Sequence, residues 1–401
     1  MHLPESEVLN SLVARVFRIE DVTLGEPGRG IIARYRGELL DKDSEAAYDR
    51  LAESLQAYEI TPLFRMDEGR HVIYLVPRKP EAKTPRISVN IILFLLTVLS
   101  VMFVGSEPAG EMPADLMGQL WFMAKALPSG WQYAVSLLSI LLAHEFGHYL
   151  MSRHHRTRAT LPYFIPLPVP PLGTMGAAIL MQGTPKNKRV LFDIGVAGPL
   201  AGMVVAIPVL LLGLSLSRLD VIEPVSGVVS LEGNSILYLA AKYLQFGKLL
   251  PAPADFGGVS PVLYWLRYFI TGRPIPLGGT DVFIHHVAFA GWAGLLVTAL
   301  NLIPAGTLDG GHLIYSLLGD KARRAFPIIV AVLFALGFFW QSWWIWLLLL
   351  LWLGRVHAEP LDQITPLDRP RLAVAALTIL IFALTFSPVP FSIITIPGLT
   401  P

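Results

Sequence analysis

Polar and apolar positions in this chain follow two regimes. Up to about residue 80 they alternate over short distances, and beyond residue 86 they form long apolar blocks separated by short charged clusters. In the first regime, Gly30-Ile31-Ile32-Ala33-Arg34-Tyr35-Arg36-Gly37 alternates apolar and charged side chains late in the run, the period-two mark of a half-buried strand. Ser44 is placed to cap a helix running to about Tyr58, with Ala47, Leu51 and Leu55 on one face. Ile60 to Met66 and His71 to Val76, parted by Asp67-Glu68-Gly69-Arg70, predict a hairpin. Residues 1–80 therefore read as a small soluble α+β domain. Nothing in them carries catalytic chemistry, so their expected role is regulatory or positional.

The second regime is a set of membrane spans. A basic linker at 81–86, reinforced by Arg78 and Lys79, precedes a first span from Ile87 to about Gly105. Positive charge before a first span keeps the N-terminus in the cytoplasm. An apolar run from Trp131 to Met151 then returns inward and stops at Arg153-His154-His155-Arg156-Thr157-Arg158. A third runs from Val190 to about Leu216 behind Lys186, Lys188 and Arg189, and its Gly195, Gly198 and Gly202 would let neighbouring helices come close. Residues 218–280 read as an external segment in which Ser235–Leu250 and Pro261–Ile270 form interfacial helices. Asp281 to Leu302 spans inward. Phe326–Phe339 and Trp343–Leu353 are two short arms about a turn at Gln341-Ser342, or else one long tilted span. A last span covers Leu372 to about Phe386, and Trp340, Trp343, Trp344 and Trp346 suit an outer interfacial belt. The expected fold is a polytopic α-helical membrane protein of about six to eight spans over residues 87–401, lying in the cell membrane with lipid around it.

Composition agrees with this reading. Of 401 residues 53% are hydrophobic and only 15% charged, well below the ~25% of a soluble domain. The net charge of +1 argues against nucleic acid as a partner, and the polar first residues do not read as a cleavable signal peptide. The chain has no cysteine. Any metal must then be held by His, Asp or Glu.

Candidate chemistry concentrates inside the apolar run. His144-Glu145-Phe146-Gly147-His148 sets two imidazoles one helical turn apart, able to share one zinc ion, with a glutamate between them as general acid/base. Ionisable groups at that depth are costly, which makes them functional by default. A second anomaly is Asn301-Leu302-Ile303-Pro304-Ala305-Gly306-Thr307-Leu308-Asp309-Gly310-Gly311-His312. Pro304 removes a backbone hydrogen bond, and Gly306, Gly310 and Gly311 loosen the backbone after it, so a helix breaks within the membrane. Asp309 is the carboxylate placed to complete the metal site, and Asn301 can hydrogen-bond a substrate backbone or an oxyanion. His312 stands either behind the metal ligands or simply at the interface. Asp193 is open between a supporting acid and a helix-start aspartate. His285 and His286 fall too far along the span to matter. Leu161 to Pro171 and Gly173 to Leu180 are apolar but too rich in Pro and Gly to span; they read as a re-entrant loop with one extended edge, against the alternative of a stiffened surface loop.

These pieces resemble the site-2 proteases, intramembrane zinc metalloproteases of peptidase family M50. The HEFGH pentad, Gly173-Thr174-Met175-Gly176, and Asn301-Leu302-Ile303-Pro304 with Leu308-Asp309-Gly310 carry the likeness. The Leu161–Pro168 run and Gly291-Trp292-Ala293-Gly294-Leu295-Leu296 look like the branch that includes the plant EGY-type proteins. The resemblance implies one zinc per chain on His144, His148 and Asp309, Glu145 as acid/base, and Asn301, Gly173, Gly176 and Pro304 around the substrate. It also implies hydrolysis of peptide bonds in or near the spans of membrane-protein substrates, while the basic cluster at 153–158 puts the zinc site toward the cytoplasm. No PDZ module is visible in the external segment, and the stretch after Gly354 is too short for a CBS pair. The alternatives are a catalytically silent metal-binding scaffold, against which Glu145 speaks, and a membrane metal or ion transporter, which should show paired broken segments.

Overall fold

The computed structural model describes residues 4–26, 30–78, 86–222, 227–274, 276–353 and 359–396. Most of the expected linker at 81–86 lies outside these residues, as does Arg355.

The N-terminal unit comprises α1 (Ser6–Ala14), β1 (Phe17–Glu26), β2 (Ile31–Leu39), α2 (Ser44–Leu55), β3 (Ile60–Asp67) and β4 (Arg70–Pro77). Its four strands form one antiparallel sheet in the order β1-β2-β4-β3. Alternation puts Ala33, Tyr35, Phe64 and Ile73 on the inner face, where they meet Leu51 and Leu55 of α2. The β3–β4 turn runs through Glu68 and Gly69 at φ 50° and 81°, the two positive angles of a tight hairpin. Asp43, not Ser44, caps α2, accepting from the backbone of Glu45 and Ala46. Ser44 instead lies buried with its hydroxyl 2.8 Å from that of Thr365. Strand β1 went unpredicted because its register against β2 shifts between Ile19 and Asp21, which spoils the period of two.

The second body contains α3 (Ile87–Val104), α4 (Leu116–Ala126), α5 (Trp131–His154), β5 (Tyr163–Pro166), β6 (Thr174–Ala178) and α6 (Lys188–Ser215). Then come β7 (Arg218–Val221), β8 (Gly227–Glu232), α7 (Ile236–Phe246), α8 (Pro261–Thr271), β9 (Thr280–Phe283), α9 (His286–Asn301) and α10 (Asp309–Leu318). The chain continues through α11 (Phe326–Leu336), α12 (Ser342–Leu353), α13 (Arg369–Thr385) and β10 (Phe391–Ile396). Among the described residues three helical stretches are long and apolar enough to cross a membrane: α3, the continuous Leu116–His154, and α6. α9 and α12 are apolar but shorter. The two arms expected after residue 326 are separate helices.

One expectation needs correction. The span placed at Asp281–Leu302 starts as a strand, because Thr280–Phe283 pairs with β7, and only His286–Asn301 is helical. Asp281 is buried 3.6 Å from the ammonium of Lys242. α9 is short because it is covered by protein: Ala288, Ala290, Ala293 and Leu295 are buried in the cluster that holds Ile140 of α5 and Ala206 of α6. A Cβ at Gly291 would come 2.5 Å from the Leu210 Cα, so the two backbones almost touch.

The two bodies share an edge. Phe64 donates its amide to the Leu361 carbonyl at 3.0 Å and accepts from the Gln363 amide at 3.0 Å, extending the sheet beyond β3. Lys186 and Arg189, just before and within the first turn of α6, reach Glu45 of α2 at 3.0 and 2.9 Å. Burial pushes the Glu45 carboxyl up, but these cations more than offset it and hold it below the usual range.

Candidate metal centre

Helix α5 sets His144 and His148 on one face, and α6 crosses that face with Gly195, Gly198 and Gly202. These glycines are notches. A Cβ at Gly198 would lie 2.0 Å from His148 Nε2, and one at Gly202 would lie 3.3 Å from His144 Nδ1. Because the notch admits the whole imidazole, His148 can turn its other nitrogen to the backbone, and Nδ1 donates to the Ile194 carbonyl at 2.7 Å. That bond fixes the proton on Nδ1 and leaves the Nε2 lone pair for a metal.

Asp309 arrives from the other side. α9 ends at Asn301, the chain turns through 302–308, and α10 begins at Asp309 itself. Side chains at the next two positions are forbidden: a Cβ on Gly310 would sit 2.1 Å from the Leu302 carbonyl oxygen, and one on Gly311 2.3 Å from that of Gly306. The glycines thereby let α10 fold tightly against the break and aim the carboxylate back at α5. Its position at a helix N-terminus also favours the ionised form.

The three groups converge. His144 Nε2 lies 3.2 Å from His148 Nε2, and Asp309 reaches His144 Nε2 with Oδ2 and His148 Nε2 with Oδ1, each at 3.3 Å. Zinc bonds of about 2.0–2.2 Å place tetrahedral ligand atoms roughly 3.3–3.5 Å from one another. The two imidazole nitrogens stand near that spacing and each has a different Asp309 oxygen at 3.3 Å, so the donor set fits a zinc ion with a position left for water. Among the described residues these are the His, Asp and Glu side chains grouped to hold a metal.

Around the trio, Glu145 lies between the two histidines on α5, is 5% exposed, and meets the backbone of Ile179 just past β6. Asn301 Nδ2 stands 3.3 Å from His144 Nε2. Gly176, at φ 98°, borders open space. The other candidates lie elsewhere. Gly173 is buried against α3, its carbonyl accepting from Ser100 Oγ at 2.6 Å, which makes it an anchor of the hairpin. Pro304 lies in the turn between α9 and α10, three residues past the end of α9 and without a backbone N–H to donate. His312 packs its Cβ on Gly195, outside the metal trio. Asp193 turns away to pair with His155 at 2.9 Å and Arg371 at 2.6 Å, so the support behind His148 comes from the adjacent Ile194 carbonyl. His285 caps α9, and His286 pairs with Glu107.

Sequence reasoning missed the seam that holds the β5–β6 hairpin. Asn90 donates to the carbonyls of Leu161 and Pro162, each at 2.9 Å, and Ser100 to that of Gly173. The signal was present: Asn90, Thr97 and Ser100 are buried polar residues in an otherwise apolar α3. The carbonyl of Ile194 had none, since a backbone acceptor leaves no trace in side-chain identity.

This arrangement of a metal trio and a buried glutamate on facing helices is that of a metallopeptidase. Residues 132–340 match the model of "Peptidase family M50", and the chain belongs to that family, within its EGY-like branch. It is 30% identical over 266 residues to "Probable zinc metalloprotease EGY1, chloroplastic" of Oryza sativa subsp. japonica, covering 62% of this chain and 41% of that protein. To "Probable zinc metalloprotease EGY2, chloroplastic" of Arabidopsis thaliana it is 26% identical over 404 residues, 98% of this chain and 66% of that one. With "Probable zinc metallopeptidase EGY3, chloroplastic" of the same plant it shares 25% over 272 residues, 63% of this chain and 41% of the other. The chain thus spans about half the length of the curated relatives it matches.

Proposed function

We propose that this chain is an intramembrane zinc metalloprotease that cleaves membrane-protein substrates in or near their spans. The observation that carries this is the 3.2–3.3 Å triangle of His144, His148 and Asp309 beside a buried Glu145, on a helix apolar enough to cross a bilayer. His144, His148 and Asp309 would hold the zinc. Bound there, zinc supplies Lewis-acid chemistry, polarising the scissile carbonyl and making water a competent nucleophile near neutral pH.

The chain's own groups do the rest. Glu145 takes the proton of the attacking water and hands it to the leaving amide nitrogen. Asn301 donates its amide to the oxyanion that develops at the carbonyl. β6 pairs on one side with β5, and its end passes Glu145 at Ile179. An unwound substrate adds along the free side of β6, where backbone hydrogen bonds hold it extended. A helical substrate must melt locally first, so glycine or proline in its span favours cutting.

In this reading the bundle crosses the membrane seven times, through α3, α4–α5, α6, α9, α11, α12 and α13. The start of α3, the end of α5 and the starts of α6 and α13 share one end, flanked by Arg86, Arg153, Lys188 and Arg371; positive charge assigns it to the cytoplasm, with the N-terminal unit beside it. No observation favours a silent scaffold or a transporter. The test is cleavage of a single-span reporter in detergent by wild type and Glu145→Gln. Zinc retained with cutting lost supports the reading, and unchanged cutting removes Glu145 from the mechanism.

A further inference from the structure

A cavity of about 710 Å³ opens at the seam between the N-terminal unit and the helical body. Its walls come from β3, from β4 with the adjoining Arg78, from residues 155–158 beyond α5, from 182–186 before α6, and from Glu359 and Leu361. The cationic lining consists of Arg65, Arg78, Arg156, Arg158 and Lys186, with His155 beside them, against the carboxylate of Glu359. Part of that charge is already answered. Arg65 lies 3.8 Å from Glu359, Lys186 3.0 and 2.8 Å from Glu45 and Asp49, and His155 2.9 Å from Asp193. Arg78 and Arg156 make no ion pair among the described residues, and both are exposed to the cavity's solvent. Thr157, Gln182 and Thr184 line the same wall with hydroxyl and amide groups.

Cations gathered on a concave wall focus the field and raise the local concentration of anions. Guanidinium forks match the oxygens of a phosphate, and hydroxyl and amide donors serve the oxygens that remain. The volume falls within the ~300–1,000 Å³ of small-molecule sites. The cavity also sits where α5 ends and α6 begins, which is the depth of lipid phosphates for any bilayer around these helices. We infer that this cavity binds a phosphate-bearing anion, supplied by a lipid headgroup or by a soluble polyphosphate. The occupant bridges the N-terminal unit to the loop that continues from the helix of His144 and His148. The binding claim stands apart from the proteolytic reading and is measured without cleavage.

The test uses the full chain. In neutral detergent it is titrated with pyrophosphate, with ATP and with citrate; in parallel it is placed in phosphatidylcholine nanodiscs with and without phosphatidylglycerol. Binding is read by calorimetry and by hydrogen exchange in β3 and β4. Saturable binding of pyrophosphate or ATP identifies a soluble source, and protection given by phosphatidylglycerol alone identifies a lipid. Either supports the inference if Arg78→Gln/Arg156→Gln weakens it about tenfold or more while Arg267→Gln, on α8, leaves it unchanged. The pair Arg78→Lys/Arg156→Lys, which keeps charge but loses the forks, is expected in between and guards against a folding artefact. No saturable binding by any phosphate probe, equal binding by citrate, or wild-type binding by the glutamine pair would overturn it.

Discussion

Gly198→Ala isolates the contact on which the metal geometry depends most. The new methyl group would lie 2.0, 2.4 and 2.5 Å from Nε2, Cδ2 and Cε1 of His148, where ordinary contact begins at 3.4 Å. Either the ring or α6 must retreat by more than about 1 Å, whereas metal-ligand distances tolerate only about ±0.2 Å. Loosening a group behind a ligand costs about 10–100-fold in metal affinity, and displacing the ligand itself costs more, so a loss of at least about 100-fold is expected. Helix propensity pulls the other way. Alanine in place of an interior glycine gains about 1 kcal/mol of helix propensity against about 1–3 kcal/mol of overpacking, so the metal-free variant should melt only modestly below wild type. Gly202→Ala is the matched control, because its methyl would meet His144 at 3.3 Å, a distance relieved by a shift of tenths of an ångström. A zinc competition titration with a chromophoric chelator, run beside thermal melting, separates the two effects. Wild-type zinc affinity in Gly198→Ala would refute the reasoning.

The same geometry sets three further outcomes. Asn301→Ala should keep its zinc but lose about 10²–10³ in kcat with a smaller change in KM, as measured by reporter cleavage, because its amide serves the developing oxyanion. Asn90→Leu removes both hydrogen bonds to Leu161 and Pro162 and leaves one buried and one partly buried carbonyl without that donor, at about 1–3 kcal/mol for the buried one; kcat/KM should fall with zinc content unchanged, and loss of zinc would contradict the hairpin's separate role. For the docked N-terminal unit, Glu45 has a folded pKa depressed below 4.5, so its contribution is present above that value and lost as pH falls through the lower folded pKa. Protection of the Phe64 and Gln363 amides, taken relative to their intrinsic exchange rates at each pH, should fall as pH drops below 4.5 and do so less in Glu45→Gln.

Much of this was legible in the sequence, for reasons that differ by element. HEFGH declares itself because the spacing of two ligands on one helix is local. Asp309 was readable because a proline and three glycines around one carboxylate make no sense in an ordinary span. The glycines of α6 were read as sites of close approach, but that two of them receive the imidazoles of His144 and His148 depends on how α6 crosses α5, a tertiary property. Asp193 is open between two readings in the sequence for the same reason, since only the fold reveals its pairs with His155 and Arg371. The edge formed by residues 361–363 against Phe64 was hidden because three residues added to a distant sheet carry no periodic signal.

The most direct measurement is the zinc content of the purified chain against that of Asp309→Ala. About one zinc per wild-type chain, with the variant largely empty yet still folded, is the expected result, since among the described residues Asp309 is the carboxylate grouped with the paired imidazoles. Equal zinc in the two proteins, or none in wild type after zinc-supplemented purification, would contradict the account.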